Sequence, residues 1–220
     1  MKYPKINTLF MRRYTQEECK AKKIRSNPIT KKKKKKEFIG IDLWVIQEKI
    51  DGTNIRIFKN GEIRGRTDES SIPPKLLKHL QSIFTPEKIQ AVFGDKDLML
   101  FGEGYGAKIQ RFGSQYLDHQ SFILFDAYIN GMWVNVDKIP GIAESFGVRY
   151  APYIEQKIDW MEDIHWSKEK IIEYVKSKPK SLIATNKDLI IEGIVAKPYP
   201  MLLFQNGDPV YFKLKCKDFE

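Results

Sequence analysis

Glu48-Lys49-Ile50-Asp51-Gly52-Thr53-Asn54 lies between two strand-like runs, Leu43 to Lys49 and Asn54 to Lys59. Asp-Gly favours a turn, because Asp bonds its own backbone and Gly supplies freedom of φ. The heptapeptide therefore predicts two strands turning about Asp51-Gly52, with Lys49 at the mouth of the turn. A lysine amine there can do covalent chemistry when neighbouring groups or a metal keep it neutral. The competing reading is a surface Asp-Gly turn with a solvated lysine. Three such fixed positions recur by chance in roughly one chain in ten to twenty of this length.

Outward from that turn, Asn60-Gly61 predicts a hairpin joining Ile55 to Ile57 with Ile63 to Arg66. Pro73-Pro74 opens a helical pattern with Leu76, Leu77, Leu80 and Phe84 on one face, and Thr85-Pro86 starts a second helix ending at Gly94. Leu98 to Phe101, Phe122 to Ile129 and Met132 to Val136 read as strands, the last two joined by Asn130-Gly131. Val136 to Phe146 is helical in pattern, and Ser167 caps a helix to about Lys178. Leu189 to Lys197 and Val210 to Lys215 are the final strands, turned at Asn206-Gly207. Hairpins with helices inserted between them predict an α+β domain built on antiparallel sheets.

The composition, 42% hydrophobic and 12% aromatic, supports a sizeable core. No apolar run approaches the roughly 18 residues of a membrane span, and the N-terminus lacks a signal-type apolar stretch. Cys19 and Cys216 suggest neither a disulfide framework nor a metal site. These features point to a soluble, intracellular protein with no membrane partner. The net charge is +10 with a pI near 9.4, and six of the positive charges form the run Lys31, Lys32, Lys33, Lys34, Lys35, Lys36. A basic surface attracts polyanions through counterion release, so nucleic acid is the first partner class. The run, which follows Asn27-Pro28, reads as a mobile insertion and a nucleic-acid contact, or as a merely solvated loop.

Four further segments carry chemistry. Gly102-Glu103-Gly104-Tyr105-Gly106 reads as a glycine-rich turn after a strand, its spacing unlike Gly-x-Gly-x-x-Gly. A carboxylate between glycines suits a ribose hydroxyl or a hydrated metal. Phe122-Ile123-Leu124-Phe125-Asp126 is core-like, although one aromatic could stack on a purine. Glu192 in Ile191-Glu192-Gly193-Ile194-Val195-Ala196-Lys197 needs a partner, either a divalent metal or a cationic side chain. Phe212-Lys213-Leu214-Lys215 alternates at period two, so its lysines share a face on which two ammonium groups can clamp one phosphate.

In order, Lys49-x-Asp-Gly, Arg66, Glu103, Phe125-Asp126, Glu192-Gly193 and Lys213-x-Lys215 resemble the motif set of the covalent nucleotidyltransferases. That superfamily comprises ATP-dependent DNA ligases, RNA ligases and mRNA-capping enzymes. The chain looks most like the RNA ligase 2-type family, over residues 38 to 217, with Tyr3-Pro4-Lys5-Ile6 a weaker echo of its N-terminus. The resemblance implies a nucleotidyltransferase (ATP-grasp-like ligase adenylation) domain at 38–220. Residues 1–37 would precede it as a segment holding the insertion at 31–36. Related ligases usually carry a further C-terminal domain; with the sequence stopping at Glu220, no separate C-terminal domain is expected here, as in a truncated adenylyltransferase domain or a single-domain ligase.

It also implies that Lys49 attacks ATP and carries AMP, which passes to a 5′-phosphate end that is then sealed to a 3′-hydroxyl. Phe125 would stack on adenine and Glu103 bind ribose, with Glu48, Asn54, Arg66, Glu192, Lys213 and Lys215 completing the ATP and AMP site. Glu192 and Asp51 would meet Mg²⁺ or Mn²⁺ through water. The register Lys215-Cys216-Lys217 competes with Lys213-x-Lys215 for the last motif. The implied partner is RNA, possibly a nicked duplex, acted on by a monomer. A DNA ligase core, a capping guanylyltransferase and a basic binding module with an inert nucleotide pocket are the alternatives.

Overall fold

The computed structural model describes residues 1–23, 29–41, 43–154 and 166–220. Its strands are β1 (Asn7–Thr8), β2 (Phe10–Arg12), β3 (Ile29–Lys34), β4 (Trp44–Lys49), β5 (Thr53–Phe58), β6 (Ile63–Gly65), β7 (Leu98–Gly106), β8 (Gln120–Ile129), β9 (Met132–Trp133), β10 (Arg149–Tyr150), β11 (Gly193–Pro198) and β12 (Phe212–Lys215). The helices are α1 (Gln16–Ala21), α2 (Pro74–Ile83), α3 (Pro86–Phe93), α4 (Gly113–Tyr116), α5 (Ile139–Phe146) and α6 (Lys168–Lys176). The fold is α+β and rich in antiparallel pairing, as the hairpin signals predict.

Two sheets build the domain. A four-stranded sheet runs β1-β12-β11-β4, and a larger one runs β10-β8-β7-β5-β6 with β9 paired to β8. The Asp51-Gly52 turn carries the chain from one sheet, at β4, to the other, at β5. Period-two alternation gives each sheet one core face. Phe212, Leu214, Ile194, Ala196, Trp44 and Ile46 point into one core, covered by α6 residues Ile171 and Val175. Ile55, Ile57, Leu98, Leu100, Phe122 and Leu124 point into a second core beneath α2, α3 and α5. Each fully buried side chain of this size stabilises the fold by about 1.5–3 kcal/mol. The opposite faces of the two sheets remain to line a cleft.

Two expectations need correction. Gly102-Glu103-Gly104-Tyr105-Gly106 is no turn but the second half of β7, paired to β5 and β8. Its glycines serve close packing, since a Cβ on Gly102 would lie 2.1 Å from the Phe122 ring and one on Gly104 2.3 Å from Leu76. The lysine run is likewise no simple loop, because β3 includes Lys31 to Lys34 and pairs with β2. Ile29 and Phe10 anchor that hairpin in the first core. The N-terminal residues are woven into the domain through the parallel pair β1 and β12 and through buried Leu9 and Phe10.

Candidate active site

Between the sheets lies a cleft of about 420 Å³, lined by residues of both. The four-stranded sheet supplies its cationic wall. Register sets Lys49 opposite Gly193 and Gly193 opposite Lys215, so two lysines flank a residue with no side chain. A Cβ at Gly193 would meet the Leu214 carbonyl oxygen at 2.0 Å, which fixes glycine there. The gap lets Glu192 reach both neighbours: Lys49 Nζ donates to Glu192 Oε2 at 2.5 Å and Lys215 Nζ donates to Oε1. Burial raises the Glu192 carboxyl, but the two ammonium groups outweigh it and hold the group below its ordinary range. Of the two partners weighed for Glu192, the protein provides the cations. In the next row Gln47, Val195 and Lys213 face the same cleft. Burial first, then Lys49 and Lys215, depresses the Lys213 ammonium to about 8. Lys217 is exposed and outside the cleft, so the geometry favours the register Lys213-x-Lys215.

The larger sheet supplies the other wall. Asn54, Glu103 and Ile123 lie in one row across β5, β7 and β8. Asn54 lines the cleft, and its Oδ1 is a buried acceptor with no hydrogen-bond partner. Burial lifts the Glu103 carboxyl to about 8 against the opposing pull of Lys49, so at neutral pH it can both donate and accept. A bulge at Phe101 leaves Phe125 as the unpaired residue of β8, and bulges re-aim side chains. Phe125 thereby joins the cleft lining, half-buried. Asp51 sits at the turn, raised by burial and by Glu192, and exposed Arg66 closes the rim just after β6.

The structure thus gathers Glu48, Lys49, Asp51, Asn54, Arg66, Glu103, Phe125, Glu192, Lys213 and Lys215 around one cavity. Glu48 is different in kind. Its carboxylate accepts from Ser181 Oγ at 2.6 Å and from the Leu182 N–H at 2.8 Å, so it organises the loop behind the lysine strand. Lys34, Lys35 and Lys36 do not line the cleft; Lys34 pairs with Glu169 of α6 and Lys35 with Glu37. The side chains of Lys31, Lys32 and Lys33 lie outside the described residues.

Sequence reading missed a buried polar network behind Phe125. Lys197 Nζ donates to the Phe125 carbonyl at 2.7 Å and to Asp126 Oδ1 at 2.8 Å. Tyr211 donates to Asp126 Oδ1 at 3.2 Å and Tyr3 to Oδ2, while the Tyr3 ring meets Phe125 edge-on with centroids 5.0 Å apart. The apolar run around Lys197 was the one signal that its charge needed a buried partner.

Solved structures of Naegleria gruberi RNA ligase share the fold. A mutant form with ATP and Mn aligns at 19% identity and TM-score 0.56, covering 79% of this chain and 50% of that one. The form with PPi aligns at 21% identity and TM-score 0.56, covering 79% and 49%. Another mutant, with AMP and Mn, gives 19% and TM-score 0.57, covering 79% and 49%. The chain therefore spans about half the length of these relatives. No curated protein sequence matches. The family profile described as RNA ligase matches residues 42–215, which contain every residue lining the cleft except Tyr3, Pro4 and Ile6. The chain belongs to the RNA ligase family.

Proposed function

We propose that the chain is an ATP-dependent RNA ligase that works through a lysyl-AMP on Lys49. The row Lys49, Gly193 and Lys215, bridged by Glu192 and facing Asn54, Glu103 and Phe125, carries this reading. One wall meets phosphate and the other meets a nucleoside. ATP lies with adenine on Phe125, ribose hydroxyls at Glu103 and Asn54, and phosphates along Lys213, Lys215 and Arg66.

Lys49, once its ammonium proton has passed to solvent, bonds through Nζ to the α-phosphorus while the bond to the bridging oxygen breaks; pyrophosphate leaves with the electron pair and the new P–N nitrogen loses a proton. Lys213 and Lys215 stabilise the charge that grows on it. A 5′-phosphate oxygen then attacks the same phosphorus, the P–N nitrogen takes up a proton from solvent, the P–N bond breaks, and Lys49 departs as an amine. Finally a 3′-hydroxyl attacks the activated 5′-phosphorus, loses its proton and expels AMP.

Among the described residues no three His, Cys, Asp or Glu side chains converge as a metal cage. Two carboxylates, Asp51 and Glu192, do lie close enough to interact. Such a pair beside substrate phosphates fits a hydrated Mg²⁺ or Mn²⁺, which keeps most of its waters. When bound, that ion supplies positive charge that favours the neutral amine and offsets phosphate charge. Glu192 and Asp51 would hold it, and Glu192 meanwhile orients Lys49 and Lys215.

The charge distribution supports a nucleic-acid partner. Residues 1–36 contain 14 basic and 2 acidic side chains, leaving 24 and 26 in the remainder, so the whole net positive charge lies in the first segment. The lysine run Lys31 to Lys36 is the RNA-facing part of it. Replacing the run with glutamines is expected to weaken RNA binding and flatten its dependence on salt; an unchanged slope removes the run from the interface.

Intact mass after incubation with Mg²⁺ and either ATP or GTP tests the chemistry. The expected gain is one AMP, abolished in Lys49→Ala. A GMP adduct would instead indicate capping chemistry, and no adduct on folded protein would indicate a binding module.

A further inference from the structure

The loop after β7 stands against the lysine turn, with Gln110 Nε2 donating to the Gly52 carbonyl at 2.9 Å. Lys108 and Gln110 hold left-handed backbone, φ 64° and 56°, a conformation that costs non-glycine residues energy. Ile109 between them is buried in the second core, and its N–H donates to the Gly106 carbonyl at 3.0 Å. These restraints fix one loop shape that displays Lys108, Gln110, Arg111 and Phe112 to solvent. Phe112 is 42% exposed, with the Arg111 guanidinium 5.2 Å from its ring centroid. No acidic residue occurs from Ala107 to Leu117. Beside the loop opens a second cavity, of about 460 Å³, walled by Lys108, Gln110, Ser71 and Pro73, which shares Thr53 with the nucleotide cleft.

We propose that this loop and cavity seat the RNA strand that presents the 3′-hydroxyl, its terminal base on Phe112 and its phosphates on Lys108 and Arg111. An exposed aromatic flanked by cations is the chemistry that holds single-stranded nucleic acid, because stacking accepts any base and the cations meet the backbone. The inference rests on the ligase reading, which places the activated phosphate at Lys213 and Lys215 on the four-stranded sheet. In-line displacement brings attacking and leaving oxygens to opposite sides of that phosphorus. The proposed seat brings the attacking strand over the turn Lys49 to Thr53, where Gln110 pins the loop.

Fluorescence anisotropy with two labelled RNAs tests the assignment. One carries a 3′-hydroxyl and no 5′-phosphate; the other carries a 5′-phosphate and a blocked 3′ end. Phe112→Ala is expected to weaken binding of the first about 10-fold or more, with little change for the second. Phe112→Tyr should restore it, and Arg111→Gln should reduce the salt slope by about one phosphate contact. An equally tight first RNA, or equal weakening of both RNAs, overturns the proposal, provided thermal midpoints match. The ligase reading fails separately, by absence of an AMP adduct on the unmodified chain, and the binding comparison still stands in that event.

Discussion

The two sheets are built by the same alternation yet present opposite chemistry to the cleft. The four-stranded sheet offers Lys49, Lys213, Lys215 and the Glu192 that balances two of them. The larger sheet offers Asn54, a carboxyl at Glu103 that titrates near 8, and the Phe125 ring. Burial acts in opposite directions on one ionisable group of each wall. Burial, reinforced by Lys49 and Lys215, depresses Lys213, whereas burial raises Glu103 against the pull of Lys49 across the cleft. On the proposed reading, phosphate chemistry and nucleoside recognition are divided between the sheets and joined at the Asp51-Gly52 turn.

The strongest way to break this arrangement is to cut the network that ties the walls together. Asp126→Ala strands the buried Lys197 ammonium, whose side chain is only 2% exposed. Losing one partner of a buried pair costs about 3–5 kcal/mol, so the thermal midpoint should fall by roughly 6–20 °C. A fall of only a degree or two in calorimetry would mean that Lys197 finds water or another acceptor.

A smaller loss is expected from Gly193→Ala, which acts on the cationic wall alone. The added methyl has to push back the Leu214 carbonyl that a Cβ would approach to 2.0 Å. Such overpacking costs about 1–3 kcal/mol, and the shift should separate Lys49 from Lys215 and slow nucleotide transfer to Lys49. Adenylation at the unmodified rate would show that the row tolerates displacement.

The most delicate comparison is with pH, where the two walls have opposite signs. Glu103 titrates near 8 in the folded chain against an ordinary 4.5, so the folded state holds the extra proton and stability falls as pH rises across that window. Lys213 titrates near 8 against 10.5, so the unfolded state holds the extra proton there and stability rises from pH 8 to 10.5. Thermal midpoints read from pH 5 to 10 should show Glu103→Gln removing the fall and Lys213→Met removing the rise. Profiles parallel to the unmodified chain would contradict both assignments.

The elements nearest the chemistry were the most legible in the sequence, because they obey local rules. Phe212-Lys213-Leu214-Lys215 announces a strand with one apolar and one basic face, and the structure keeps both. Asp51-Gly52 announces the turn. Pairings across the chain were not legible. Lys49 meets Glu192 across 143 positions and Lys197 meets Asp126 across 71, and nothing local encodes such contacts. The second half of β7 misled for a physical reason: glycine serves a turn and a tight packing contact equally well, and only Phe122 and Leu76 in place distinguish them.

The Lys197 bridge bears on how ligands come and go. Its ammonium spans from β11 to the Phe125 carbonyl and Asp126 of β8, so one fully buried side chain sets the spacing of the walls. Parting the sheets as hinged jaws would break both Lys197 hydrogen bonds and expose an unpaired charge. The cleft is accordingly a slot of constant width. On the proposed ligase reading, nucleotide and pyrophosphate would pass along the cleft and not between separating sheets, by lining residues such as Arg66 and Gly52.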